Sequence, residues 1–237
     1  MNTSPKILLN ALLAIAIFSC EKDDTKKGMD ELPDDVFKMN QCAELYTNIY
    51  NKLQEGKNEQ ERNRILFMDQ SQQRLVLTQE ADVYVSFVAE RSEYSNTLGW
   101  YTYQDGGELS LGENANNQIV FPHFSSAVLT PGDGRRIGRF PAGTVVGFFL
   151  VVGGWDAEME SINFDNPTFY CDLALNARQT KQNILFIEEQ CGDVVVAFED
   201  KLLWASDLDY NDAVIRVTDN DQNFPATSFS LEMVPSL

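Results

Sequence analysis

Histidine occurs once in this chain, at position 123, and lysine and arginine together number 18 against 36 aspartates and glutamates. The formal charge of −18 that results has the wrong sign for long-range attraction to nucleic acid or to anionic lipid headgroups. Both are excluded as partners, and any contact with a membrane must come through something other than charge. Catalytic signatures are as sparse as histidine. The sequence holds no GxSxG elbow, HExxH helix, Walker loop or GxGxxG turn. His123 sits within Phe-Pro-His-Phe at 121–124, the setting of a core or turn histidine. The glycine-bearing stretches 106–108 and 132–136 read as turns rather than phosphate cradles, because no helix follows them. An enzyme is therefore not expected. The chain is nevertheless 43% hydrophobic and 11% aromatic, enough apolar material to offset the entropy of ordering, so it should fold.

Long apolar runs are scarce, and the one at residues 7–19 follows Lys6 at the very start. It has the charge and length of an export signal and is too short to span a bilayer comfortably. It closes on Ile17-Phe18-Ser19-Cys20, which resembles the bacterial lipobox with Phe18 bulkier than usual at its position. The resemblance implies cleavage after residue 19 and lipidation of Cys20, whose acyl chains would hold the protein to a membrane at about 0.8 kcal/mol per buried CH₂. Glu21-Lys22-Asp23-Asp24 then resembles the tag that sends lipoproteins of the Bacteroidetes to the outer face of the outer membrane. The expected organisation is a signal peptide at 1–19, a polar tether at 20–32 and one domain at 33–237.

Cysteine is also scarce. Beyond Cys20 only Cys42, Cys171 and Cys191 remain, an odd number that permits one bridge and one leftover thiol in an exported chain. Cys171 with Cys191 is the first choice of pair, because they lie in neighbouring predicted strands. Cys42 with either of them, or three reduced thiols, are the alternatives.

What the sequence does have is strand pattern. Pro33-Asp34-Asp35 opens a predicted helix over 34–55, with Val36, Met39, Ala43, Tyr46, Tyr50 and Leu53 spaced as an amphipathic stripe and Gly56 as its stop. From Arg64 the period becomes that of strands. Runs at 64–67, 74–78, 83–90, 99–104, 118–121, 144–154, 183–189, 193–199 and 213–217 are rich in β-branched and aromatic residues, punctuated by Gly, Asn, Asp and Pro. They predict an all-β fold, a β-sandwich or jelly roll with one N-terminal amphipathic helix. The run 144–154 is the most apolar and should lie centrally. Within 83–88, Val83, Val85 and Phe87 should share one face and Tyr84, Ser86 and Val88 the other.

Five carboxylates fall within residues 199–212, at the end of one predicted strand and the start of the next. Like charges about 4 Å apart repel by roughly 1 to 4 kcal/mol per pair, depending on the local dielectric. Asp207, Asp209 and Asn211 have the i, i+2, i+4 spacing of the first half of an EF-hand loop. The second half is missing, since Asp212 and Thr218 stand where Gly and Glu are needed. A cation must then draw further oxygens from Glu199, Asp200 and Asp212. A shell of oxygens alone favours calcium over zinc or copper. The bland alternative is a turn whose carboxylates point into water and cap it.

Five segments occur together in the order and spacing of a known family: 93–103, 119–126, 137–150, 171–176 and the acidic stretch 197–214. Over about residues 75–218 the chain resembles domain of unknown function 4114. Such domains occur in bacterial surface lipoproteins and large calcium-dependent adhesins, and the resemblance implies a β-sandwich with a calcium site at Glu199, Asp200, Asp207, Asp209, Asn211 and Asp212. Two positions depart from it: Gln182 stands near where a histidine is common, and Cys171 where serine is. The expected role is a surface-anchored, calcium-binding, non-enzymatic module that binds a glycan or protein ligand, with Trp100, Tyr101, Tyr103, Trp155 and Trp204 as candidate contact aromatics. A structural or assembly module of the cell envelope is the alternative, and a carboxylate-based glycoside hydrolase a more remote one.

Overall fold

A computed structural model of the chain describes residues 33–55, 72–107, 109, 118–177, 181–202, 205–222 and 224–234. The export signal, Cys20, the tether, the strand expected at 64–67 and Trp204 lie outside the described residues. In chain order the elements are β1 (Phe37–Lys38), α1 (Leu45–Lys52), β2 (Gln72–Leu77), β3 (Ala81–Ala89), β4 (Asn96–Gln104), β5 (Gln118–Phe124), β6 (Asp133–Phe140) and β7 (Thr144–Val151). They continue with β8 (Trp155–Asp156), β9 (Ser161–Ile162), β10 (Thr168–Tyr170), β11 (Asn183–Ile187), β12 (Val194–Phe198), β13 (Ala213–Thr218) and β14 (Phe229–Val234). Among the described residues the fold is mostly β with one α-helix, as the residue pattern predicts.

Two antiparallel sheets face each other. One runs β1-β6-β3-β13-β12-β11 and the other β14-β2-β7-β4-β5, with β10 adding to β7 beyond the reach of β2. The most apolar run is indeed central: all of β7 is buried between β2 and β4. Its glycine has a geometric cause. Gly147 lies opposite Tyr101 in the ladder, and a Cβ there would meet the tyrosine ring at 2.2 Å. Alternate residues of β12 and β13 explain why these strands read as continuous apolar runs. Val194, Val196, Phe198, Ile215 and Val217 face the inter-sheet core, while Val195, Ala197 and Val214 face outward beneath α1. Val83, Val85 and Phe87 likewise join the inter-sheet core and Val88 the opposite face.

The helix is shorter than the predicted 34–55 and turned differently. Phe37 and Lys38 pair with Gly134 and Asp133, the Met39 amide donates to the Gly132 carbonyl, and the Asn40 carbonyl accepts from the buried Arg216 guanidinium at 2.8 Å. These bonds hold the backbone extended, so helix begins only after Cys42. The buried stripe is Leu45, Ile49 and Leu53, at i, i+4 and i+8, and Tyr46 and Tyr50 are 47% and 46% exposed. Three aliphatic side chains buried to this degree stabilise the dock by about 1.5 to 3 kcal/mol each. Segment 132–136 also exceeds its prediction: the turn at 131–132 runs directly into β6.

Cys191 is bonded to Cys42, not to Cys171. The first-choice pair fails because Cys171 faces the inter-sheet core, where it is buried and free, whereas Cys191 faces the helix side with Leu45 and Ile49. The bridge ties the start of α1 to the turn between β11 and β12 across 149 residues of chain. Arg216 reinforces it, donating from Nε to Asp193 Oδ1 at 2.6 Å with the pair wholly buried. Replacing Cys42 and Cys191 together by alanine should destabilise the fold by about 2 to 4 kcal/mol, read as a lower urea midpoint. In the chain begun at Glu21, one thiol should react with a thiol reagent, and only after denaturation.

Candidate metal centre

The acidic loop leaves the end of β12 and returns at β13, and its backbone follows an unusual course. Leu208 and Tyr210 both adopt left-handed conformations, with φ of 59° and 55°, which cost a non-glycine residue about 1 kcal/mol or more each. Glu199 holds that course in place. Its carboxylate accepts the Ser206 hydroxyl on one oxygen and the Tyr210 amide at 2.8 Å on the other. The Ser206 hydroxyl in turn accepts the Leu208 amide at 2.9 Å.

The six sequence-predicted residues separate into two groups. Glu199, Asp200 and Asp212 form an inner group at the end of β12, with Glu199 also close enough to Asp209 and Asp207 to feel their charge. The Asp200 amide donates to Asp212 Oδ2 at 2.9 Å, and Asp200 Oδ2 accepts from Asn96 Nδ2 at 2.9 Å and from the Ser92 hydroxyl. Asp200 Oδ1 is buried with no hydrogen-bond donor. The outer group is Asp207, Asp209 and Asn211, and it includes a residue that pattern reading missed. Glu55, just beyond α1, brings a carboxylate oxygen within 4.8 Å of those of Asp207 and Asp209. The Asn211 side-chain amide sits among them, donating to Asp209 Oδ2 at 2.8 Å, Glu55 Oε2 at 3.3 Å and the Leu53 carbonyl at 3.4 Å. Three acceptors from two distant segments thus converge on one donor. Glu55 lies 156 residues from Asn211, and nothing in its local sequence marks it as a partner. The other grouping with ligand chemistry among the described residues, Cys42, Glu44 and Cys191, is spent on the disulfide.

Electrostatics follows from this crowding. Among the described residues, no lysine or arginine ion-pairs with Glu199, Asp200, Asp207 or Asp212. Burial, with the charges of Asp209 and Asp207 adding, pushes the Glu199 carboxyl up to about 7 against the hydrogen bonds from Ser206 and Tyr210. Burial and then the Asp200 charge push Asp212 up to about 9. Both directions express one fact: the folded loop disfavours its own ionised form.

Of the candidate contact aromatics among the described residues, three are buried and Trp155 is partly so. Trp100 packs against Phe140 in the inter-sheet core, and Tyr101 and Tyr103 lie buried on the other side of β4. Their hydroxyls donate to the buried Asp172 carboxylate at 2.6 and 3.0 Å. Strand β4 is flanked on both edges and covered on both faces, so these three rings are unavailable to a ligand. Trp155 is half-buried on β8, edge-on to His123 with ring centroids 6.3 Å apart.

Residues 140–220 match the family model described as Domain of unknown function (DUF4114). The matched span runs from the end of β6 through β13; it holds the acidic loop but stops short of the segments at 93–103 and 119–126. No curated protein and no solved structure matches the chain.

A carboxyl whose pKa is higher in the folded than in the unfolded state keeps its proton longer when folded. The associated stability is whole near pH 4 and is lost as pH rises, through about 7 for Glu199 and about 9 for Asp212. In EDTA, the urea midpoint of wild type should fall between pH 5 and 9 more steeply than that of Asp212→Asn. Parallel profiles would show that Asp212 titrates normally.

Proposed function

We propose that this chain is a calcium-binding module, held by a lipid on Cys20 at the outer face of a bacterial outer membrane, that binds a glycan or protein ligand and does no catalysis. The observation that carries the calcium reading is the approach of Glu55, Asp207 and Asp209 to within 4.8 Å of one another, with Glu55 and Asp209 sharing the Asn211 side-chain amide. Calcium takes six to eight oxygens in flexible geometry, and three carboxylates able to bind through one or two oxygens supply most of such a shell. The Leu53 carbonyl and, with its amide turned over, Asn211 Oδ1 are the nearest further donors. All are hard oxygens, which disfavours zinc and copper, and magnesium prefers fewer protein ligands and more water.

The ion would contribute cross-linking rather than chemistry. It would join the end of α1 to the loop between β12 and β13 and offset the repulsion that Glu199 now feels from Asp207 and Asp209. The inner group would serve as support, fixing the loop's left-handed turns. Support for the anchor is confined to Ile17-Phe18-Ser19-Cys20 and the charged residues after it. Among the described residues no helix is long and apolar enough to cross a membrane. One observation favours a second reading, a structural module of the envelope: the burial of Trp100, Tyr101 and Tyr103 removes the first-choice ligand platform.

At calcium a hundredfold above its dissociation constant, the folded state gains about 2.7 kcal/mol, or about 5–10 °C in melting temperature for a domain of this size. Glu55→Gln and Asp209→Asn should each remove most of that gain, and Asp105→Asn, on the far sheet, should leave it intact. Coincident melts of wild type in calcium and in EDTA would refute the calcium reading.

A further inference from the structure

With three of the expected aromatics buried, the exposed rings matter more. Tyr46 and Tyr50 lie on the outer side of α1 with centroids 6.3 Å apart. Tyr50 is steadied by the Arg91 guanidinium, 4.4 Å from its ring centre. Both tyrosines edge a cleft of about 180 Å³ between α1 and β3. The cleft is apolar at its base, where Ile49, Val88 and Leu129 are each at most 1% exposed. Its rim carries Glu90, Arg91 and Ser126. Glu90 is fixed there by the Ser126 amide, which donates to its Oε2 at 2.7 Å.

Size, polarity and charge each narrow the occupant. Pockets for drug-sized molecules begin near 300 Å³, so this one holds a single ring. An apolar base with aromatic walls takes a C–H face, and a rim with one acceptor carboxylate, one donor guanidinium and one hydroxyl matches hydroxyl groups that both donate and accept. A formal charge of −18 repels anions, and Arg91 at the rim opposes a cation.

We infer that the cleft between α1 and β3 binds the terminal pyranose of a neutral glycan, with Tyr46 and Tyr50 as its stacking wall. This deepens the binding role proposed above; Leu53 and Asn211 border both the cleft and the proposed cation site, while the stacking wall of Tyr46 and Tyr50 holds no proposed cation ligand. Saturation-transfer NMR on the chain begun at Glu21, with glucose, galactose, mannose and N-acetylglucosamine as separate probes, tests it directly. Transfer to ring C–H protons of at least one sugar is expected, weakened about tenfold in Tyr46→Ala/Tyr50→Ala, whose melting temperature should stay within a few degrees because both rings are largely exposed. Silence from all four sugars overturns the inference, as does equal transfer to wild type and variant. Repetition in EDTA separates the two proposals: transfer that persists there supports the sugar site even if calcium has no effect on the melt.

Discussion

Everything distinctive about this protein depends on like charge held at close range where β12 ends. A strand that is apolar on both faces delivers Glu199 and Asp200 into a nearly water-free mouth, at 1% and 4% exposure, and the loop beyond adds three more carboxylates. In water such groups would separate. Here Glu199 is fastened to the Tyr210 amide and the Ser206 hydroxyl, and Asp212 to the Asp200 amide. The fold therefore uses hydrogen bonds to keep charges together that would otherwise part, and burial first, with the neighbouring charges adding, raises the Glu199 and Asp212 carboxyls.

The N-terminal segment belongs to this arrangement rather than being an appendage to it. Its helix covers the outer face of one sheet, the Cys42–Cys191 bridge holds its start, and the Asn211 amide bonds to the backbone and the acid at its end. Arg216, buried at the same face, holds the Asn40 carbonyl. A cation at Glu55, Asp207 and Asp209 would close the remaining open corner. The proposed sugar cleft lies along the same helix, so one short segment, residues 42–55, carries the disulfide, the proposed cation ligand and the proposed ligand wall.

The sequence made much of this legible, unevenly. Strand positions were readable because β3, β7, β12 and β13 are long, apolar and punctuated, and the centrality of β7 followed from hydrophobicity alone. The acidic loop was readable from its i, i+2, i+4 spacing. The helix departs from its expectation because tyrosine counts as apolar in a periodic pattern yet can face water, so the row Val36 to Leu53 through Tyr46 and Tyr50 competes with the true row through Leu45 and Ile49. Its start was set by strand pairing and by Arg216, neither of which leaves a local trace. The disulfide depended on which face of its strand each cysteine occupies, and Cys171 faces the core. Trp100, Tyr101 and Tyr103 read as candidate ligand contacts because sequence does not show that β4 is covered on both sides. Glu55 joined the outer acidic group only through tertiary contact.

The central claim, that the end of α1 and the acidic loop share one calcium ion, is tested most directly by equilibrium dialysis of radioactive calcium against the chain begun at Glu21 at physiological salt. The account predicts bound calcium on wild type and its loss on Glu55→Gln as fully as on Asp209→Asn, because both segments supply the shell. Calcium bound undiminished by Glu55→Gln, or none bound by wild type, would contradict it.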